Sequence, residues 1–485
     1  MTNRPGTWWR RMRTLLGLCL AGMLGLPSGA TAAELRAGAV AQDITPTKFP
    51  INVNGNMTNT LAKGVTDRLH ARCLVLDDGK TTLALVTVDS CMVPREVMDR
   101  AKKIITERIG IPASHVLISA THTHTAPASI GLFQTDADPD YPGFLAEKIA
   151  AGVIAAHGKR IAAEIGWGVG TNADQVFNRR WFIKGELPVA DPFGVVRDRV
   201  RMNPGYQNPS VTKSAGPVDP GVSVLAVRTR DGKPLAVYAN YSLHYVGGVS
   251  ALSADYYGMF AERLKALLNV PENDPNFVGI MSNGTSGNIN NINYGAPAPM
   301  AKRPGEQARI VADSVAQTVV GVLKTMQYRS ETTLAAATEE ISLSVRKGSA
   351  EELQRARELI AASKTPVLQG LPAIYARETV LLDQYPDTVP MVLQAMRIGD
   401  VGITAIPCEV FVEIGLEIKA KSPLKPSFTV SLANGYNGYL PTPEHHALGG
   451  YETWRARSSY LETGASPKIT AVLFRLLDQV QARRQ

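Results

Sequence analysis

Cysteine is scarce in this chain. Four in 485 residues exclude a disulfide scaffold, and one of them, Cys19, lies in the N-terminal leader described below. The other three, Cys73, Cys91 and Cys408, are an odd number. Cys73 and Cys91 fall on or beside neighbouring apolar strands, where buried thiols are expected and a disulfide is the alternative. Strong charge is also lacking. Removing the leader's four arginines from the formal +8 leaves +4, too mild a balance to point to nucleic acid. After the leader no apolar run is long enough to cross a bilayer. There is no internal repeat and no Gly/Ser linker, so repeat and tandem-module architectures are excluded. Histidine is sparse too, with eight in the chain, and two of the eight stand almost side by side.

The leader is the first positive feature. Arg4, Arg10, Arg11 and Arg13 precede an apolar stretch from Thr14 to Leu26, and Ala30-Thr31-Ala32 follows as a small-residue cleavage site. This order reads as a secretory signal peptide over residues 1–33, and the product is expected to be exported, periplasmic or secreted. Residues 34–485 then form the functional domain. About 450 residues suffice for one large domain or two ordinary ones.

Strand-like and helix-like segments alternate along that stretch. Leu69 to Leu76 and Thr81 to Val88 flank a polar turn, Asp77-Asp78-Gly79-Lys80, and predict a hairpin. Val222 to Arg228 and Pro234 to Tyr241 repeat the pattern around Asp231-Gly232-Lys233. Helical spacing covers Pro94 to Ile109, Phe144 to Ala156, Met259 to Leu268, Ala308 to Met326, Ser349 to Ala362 and Ile469 to Gln481. Further strands are expected at Phe277 to Met281 and near Val392 and Val401. Trp181 to Pro217 is rich in Pro, Gly and Asp and is read as a long ordered loop over an active site. The fold class expected is α/β, with mixed parallel and antiparallel sheets, flanking helices and an active site at strand ends.

Several strands run directly into chemistry-bearing residues. Val116-Leu117-Ile118-Ser119-Ala120 leads to Thr121-His122-Thr123-His124, and Ala239 to Leu243 leads to His244. Ile403 to Cys408 leads to Glu409. Ser431 to Leu440 carries Tyr436 and Tyr439 in a glycine-rich loop, and Met281 to Asn290 is a small polar loop after an apolar strand. Imidazole is the commonest metal ligand, and zinc sites draw ligands from separate segments. Surface histidines in a turn are the ordinary alternative. Sites in α/β folds gather at strand ends, and that favours a metal or catalytic role.

Taken together, these segments resemble the neutral/alkaline (non-lysosomal) ceramidase family, zinc amidases that cleave the amide of N-acyl sphingoid bases. Ala37 to Thr45 resembles the family's opening glycine and Asp-Ile-Thr strand. Ser119-Ala120-Thr121-His122-Thr123-His124 is near its Thr-His-Thr-His-Ser-Gly sequence, Asn178-Arg179 fits the start of its Asn-Arg-Ser-Pro segment, and Tyr439, Glu444, Tyr451 and Glu452 match its last motif. The resemblance implies Zn2+ held by His122, His244, Glu409 and Tyr439, with His124, Arg179 and Tyr451 facing substrate. It further implies a small acylated or lipid-like substrate and peripheral contact with a membrane.

The chain also departs from the family. Arg180-Trp181 replaces Ser-Pro, and Leu448-Gly449-Gly450 replaces a polar run. The loop Asn283 to Asn291 aligns with the family's Gly-Asp-Val-Ser-Pro-Asn in two ways. One places Ser286 on the essential serine; the other, slightly favoured, places Asn290 there. The chain ends at Gln485 without the C-terminal β-sandwich of typical ceramidases, which makes ceramide itself less certain as substrate than the chemistry. That chemistry is expected to be metal-assisted hydrolysis of an acyl bond. A zinc hydrolase acting on another amide, an ester or a glycan substituent is one alternative, and an exported metal-binding protein without catalysis is a second.

Overall fold

Two β-sheets lie face to face, and a computed structural model describes them over residues 34–185, 188–272 and 274–483. The expected export leader, 1–33, lies outside the described residues. The larger sheet has nine strands. Its main path runs Val278–Asn283, Pro234–Tyr241, Gly221–Thr229, Ile161–Thr171, Arg36–Asp43, His70–Asp77, Thr82–Val88, Val116–Ala120. Only the pair at each end is parallel: Pro234–Tyr241 with Val278–Asn283, and Thr82–Val88 with Val116–Ala120. The smaller sheet is ordered Leu334–Ser344, Thr388–Ile398, Val401–Ala405, Ser427–Val430, and its last pair is parallel.

The period-two alternation of the strands decides which layer each residue joins. In His70–Asp77, Ala71, Cys73 and Val75 enter one core under helices Arg95–Ile109 and Tyr141–Gly158. Leu74 and Leu76 enter another core, shared with Met396, Ile398, Ile403 and Phe428 of the smaller sheet. The rings of Tyr238 and Phe428 stack across that layer, 6.2 Å between centroids. Helices Asp255–Leu267 and Glu306–Lys324 cover the rest of the larger sheet's outer face. Val412–Lys421 and Ala465–Ala482 cover the outer face of the smaller one. The result is a helix–sheet–sheet–helix stack, with mixed sheets and flanking helices as the sequence leads one to expect.

The polar turn at 77–80 forms as predicted. Asp78 Oδ1 accepts from the backbone N–H groups of Lys80 and Thr81, and Gly79 takes φ 83°. Cys73, Cys91 and Cys408 are free and buried, so the disulfide alternative is not taken.

The larger sheet curves until its edge strands approach each other, and the chain after Ser427–Val430 joins them. Ser431 N donates to Asn283 O on one edge, Ala120 N donates to Leu432 O, and Asn434 N donates to Ile118 O on the other. The ends of the three parallel pairs in these two sheets are thereby gathered at one place.

One expectation is corrected here. The stretch from Trp181 to Pro217, read as a long ordered loop, contains short paired strands. Arg180–Ile183 pairs with both Val200–Met202 and Val211–Ser214, and Val189–Ala190 pairs with Val196–Asp198. Strands of two to four residues are too short to show periodicity, so composition alone concealed them.

Candidate metal centre

His122 follows strand Val116–Ala120 in a left-handed backbone conformation, φ 75°. A residue with a Cβ adopts this conformation only when its surroundings enforce it. Here the enforcing contacts come from the neighbouring strand end: His122 N donates to Ser90 O at 2.9 Å, and Nδ1 donates to Cys91 O at 2.7 Å. His244, beyond strand Pro234–Tyr241, is held similarly, with Nδ1 donating to Ser286 O at 3.1 Å. In both rings the main-chain acceptor holds a proton on Nδ1, so Nε2 is the nitrogen that would face an ion.

Glu409 supplies the third group. It pairs in a short parallel bridge with Tyr439, Glu409–Val410 against Tyr439–Leu440. Its Oε1 accepts from the Tyr436 hydroxyl at 2.9 Å. Its Oε2 lies 3.2 Å from His122 Nε2 and 4.0 Å from His244 Nε2, is buried, and has no well-directed hydrogen-bond donor. One ligand atom from each of His122, His244 and Glu409 lies within 4.8 Å of the others. Two imidazole nitrogens, a carboxylate oxygen without a donor and a nearby phenol suit a borderline cation such as zinc.

Charge in the cluster is finely divided. Burial alone would depress the His122 imidazole, but the Glu409 carboxylate pulls it well above the ordinary histidine range. Burial, reinforced by Arg179 and His122, pushes His244 well below that range, and burial with His122 does the same to His124. Burial and Glu409 hold the Tyr439 phenol up, while Arg179 pulls it down.

The other predicted residues divide into two groups. His124, Arg179 and Tyr451 are brought to the cluster. His124 Nε2 is 3.3 Å from His122 Nε2, and its ring stacks on Tyr245 at 3.6 Å between centroids. Arg179 donates to Tyr439 Oη at 3.1 Å, to Gly287 O at 2.7 Å and to Glu452 Oε1 at 3.2 Å. Tyr451 packs edge-on against Tyr439, 5.8 Å between ring centroids. Ser286 and Asn290 turn their side chains to other partners. Ser286 Oγ donates to Asn283 Oδ1 at 2.8 Å, so its bond toward the centre is made by its carbonyl, to His244. Asn290 Nδ2 donates to Asn203 Oδ1 at 2.9 Å and Tyr294 Oη at 3.2 Å.

That loop also threads between Glu409 and Arg179. Gly287 N donates to Val410 O, and a Cβ on Gly287 would sit 2.5 Å from Glu409 O, so only glycine fits. The unusual Arg180 is buried: it donates to Glu452 Oε2 at 2.8 Å and Gly449 O at 2.7 Å. Glu452 therefore faces two guanidinium groups. Phe193, in the stretch from Trp181 to Pro217, packs against Tyr375 and under Arg455. Sequence reasoning gave no role to Tyr436 or Cys91. A tyrosine three residues before a candidate ligand was the available signal for the first; a backbone carbonyl leaves none for the second.

No protein-family model matches the sequence. Among solved structures, the chain is similar to neutral ceramidase from Pseudomonas aeruginosa, with a TM-score of 0.69 and 17% identity, covering 92% of this chain and 74% of that one. A structure described as ceramidase complexed with C2 gives 0.69 and 16%, covering 93% and 75%. The fold is that of neutral ceramidase. The ceramidase-like fold and a buried group able to hold a metal thus occur in one chain.

Proposed function

We propose that the chain is an exported, zinc-dependent amidohydrolase of the neutral ceramidase type, cleaving the amide of an N-acyl sphingoid base or similar acylated, lipid-like molecule. The observation that carries the reading is the convergence of His122, His244 and Glu409 from three separated segments, with Glu409 Oε2 buried and lacking a donor. His122, His244, Glu409 and Tyr439 would hold the ion. Once bound, zinc would supply Lewis acidity, polarising an acyl carbonyl and making water nucleophilic near neutral pH.

The chain's own groups do the rest. Arg179 keeps a fixed positive charge beside Tyr439, where it offsets negative charge developing on the acyl oxygen. Its position is set by Glu452 and Gly287 O rather than by solvent. His124, stacked on Tyr245 and 3.3 Å from His122 Nε2, is held neutral by burial, so it would take the proton released by the attacking water and hand it to the departing amine. Tyr451 orients the amide from beside Tyr439. Export rests on the order of basic, apolar and small-residue segments in 1–33, and N-terminal sequencing of the mature protein tests it.

The substrate test is hydrolysis of an N-acyl series by metal-loaded protein. Each buried methylene adds about 0.8 kcal/mol to binding, so long-chain substrates should outpace N-acetyl analogues in kcat/KM. Equal rates on both would remove lipid amides and leave the second reading, a hydrolase of another amide, ester or glycan substituent. Arg180 and the bonds of Ser286 and Asn290 favour keeping that reading, since they mark departures from the ceramidase motifs.

A further inference from the structure

We infer that Tyr436 is a positioning residue that makes Glu409 a one-oxygen ligand. The inference rests on the metal reading above and adds a role that the ligand set alone does not contain.

Tyr436 lies in the loop that also carries Tyr439, and its ring is buried. Its hydroxyl donates to Glu409 Oε1 at 2.9 Å. The other oxygen, Oε2, is the one directed at His122 and His244 and is left without a donor. A carboxylate has two equivalent oxygens and can bind a cation through one or both. A buried phenol committed to Oε1 removes that equivalence, because binding through both oxygens would compete with a buried hydrogen bond.

The geometry of the loop makes this commitment hard to evade. Gly438, between the two tyrosines, has φ 76°, and a Cβ there would lie 2.5 Å from Ser458 O. On the N-terminal side, Asn434 Oδ1 accepts from buried Lys102 Nζ at 2.7 Å, and Asn434 Nδ2 donates to Gln394 Oε1 at 2.9 Å. The segment from Asn434 to Tyr439 is thus fixed at both ends, with the Tyr436 hydroxyl set against Glu409. Limiting Glu409 to one oxygen keeps the coordination number low and leaves room at the ion for water or substrate.

The test compares Tyr436→Phe with Tyr460→Phe. Tyr460 is a second buried phenol, and it donates to Asn437 Oδ1 in the same loop at 2.7 Å without touching Glu409. Zinc affinity is measured by competition with a chromophoric chelator, and the visible spectrum is recorded on protein loaded with Co(II). Tyr436→Phe should weaken zinc binding by roughly 10–100-fold and lower the intensity of the Co(II) bands, as expected when a fifth bond forms. Tyr460→Phe should leave both unchanged, even if its melting temperature falls. Equal behaviour of the two variants would overturn the inference, since Tyr436 would then be merely structural. Wild-type protein that binds no zinc would instead overturn the metal reading itself. If Tyr436→Phe fails to fold, the metal-loaded wild type decides. Bonding of the ion to both Glu409 oxygens, seen crystallographically, defeats the proposal, and bonding to Oε2 alone supports it.

Discussion

His122 and His244 each have Nδ1 bound to a main-chain carbonyl, at 2.7 and 3.1 Å, and each follows the end of a buried strand. Ser286 and Asn290, on the loop after Val278–Asn283, bond instead to the side chains of Asn283, Asn203 and Tyr294. On the candidate metal side each imidazole is therefore held by a main-chain carbonyl, which no side-chain substitution removes. The loop side is built from amide and hydroxyl groups whose partners can be exchanged by single substitutions. A fold organised in this way can keep one cation site while its substrate preference drifts.

The largest effects should come from the strand-end side. His122→Ala removes a ligand and frees the Ser90–Cys91 turn. Bound zinc and hydrolytic activity should fall together, well beyond the roughly 100-fold that outer-shell losses reach. Elemental analysis of the purified variant checks this, and one zinc per chain retained after the substitution would break the comparison at its root. Arg179→Ala comes next. It should lower kcat by about 10²–10³-fold while zinc content stays intact, because Arg179 acts on charge in the transition state. A matching loss of zinc would move Arg179 from the substrate side to the ligand-supporting side.

Gly287→Ala probes the seam between the two sides. The added Cβ would meet Glu409 O at 2.5 Å and the carbonyl carbons of Glu409 and Val410 at 3.0 Å, all main chain. Backbone must move, at a cost of about 1–3 kcal/mol, and zinc affinity should drop by roughly tenfold along with the melting temperature. Gly64→Ala, with nothing within 4 Å of the new Cβ, should be neutral in both measurements.

How far the sequence could be read follows the same division. Apolar strands that run straight into His122 and His244 carry a visible signature, since alternation and burial make a strand's end predictable. Glu409 and Tyr439 come from the family resemblance, and the parallel bridge between them places them side by side. The curvature that brings the two sheet edges together is written in long-range register, which no local pattern carries. The Tyr436 contact depends on that register, as does the turn of Phe193 toward Tyr375 rather than toward the histidines. Helix Gly370–Asp383 went unread because it starts with glycine, contains Pro372 near its start and shows little amphipathic contrast.

Among the candidate site residues, the smallest effect is expected for Ser286→Ala. The Ser286 hydroxyl is buried and bonded to Asn283 Oδ1, so its loss should cost about 0.5–1.5 kcal/mol of stability. Its carbonyl, the group that orients His244, survives the substitution. Turnover should therefore remain within a few-fold of wild type, with zinc content unchanged. Asn290→Ala should do more to KM than to kcat, because it releases Asn203 and Tyr294, which lie beside the chain segment leading from Arg179. Abolished turnover in Ser286→Ala, with zinc and folding retained, would mean that the hydroxyl leaves Asn283 to act on substrate. The loop side would then hold a reacting group, and the contrast between a fixed metal side and an adaptable loop side would no longer describe the site.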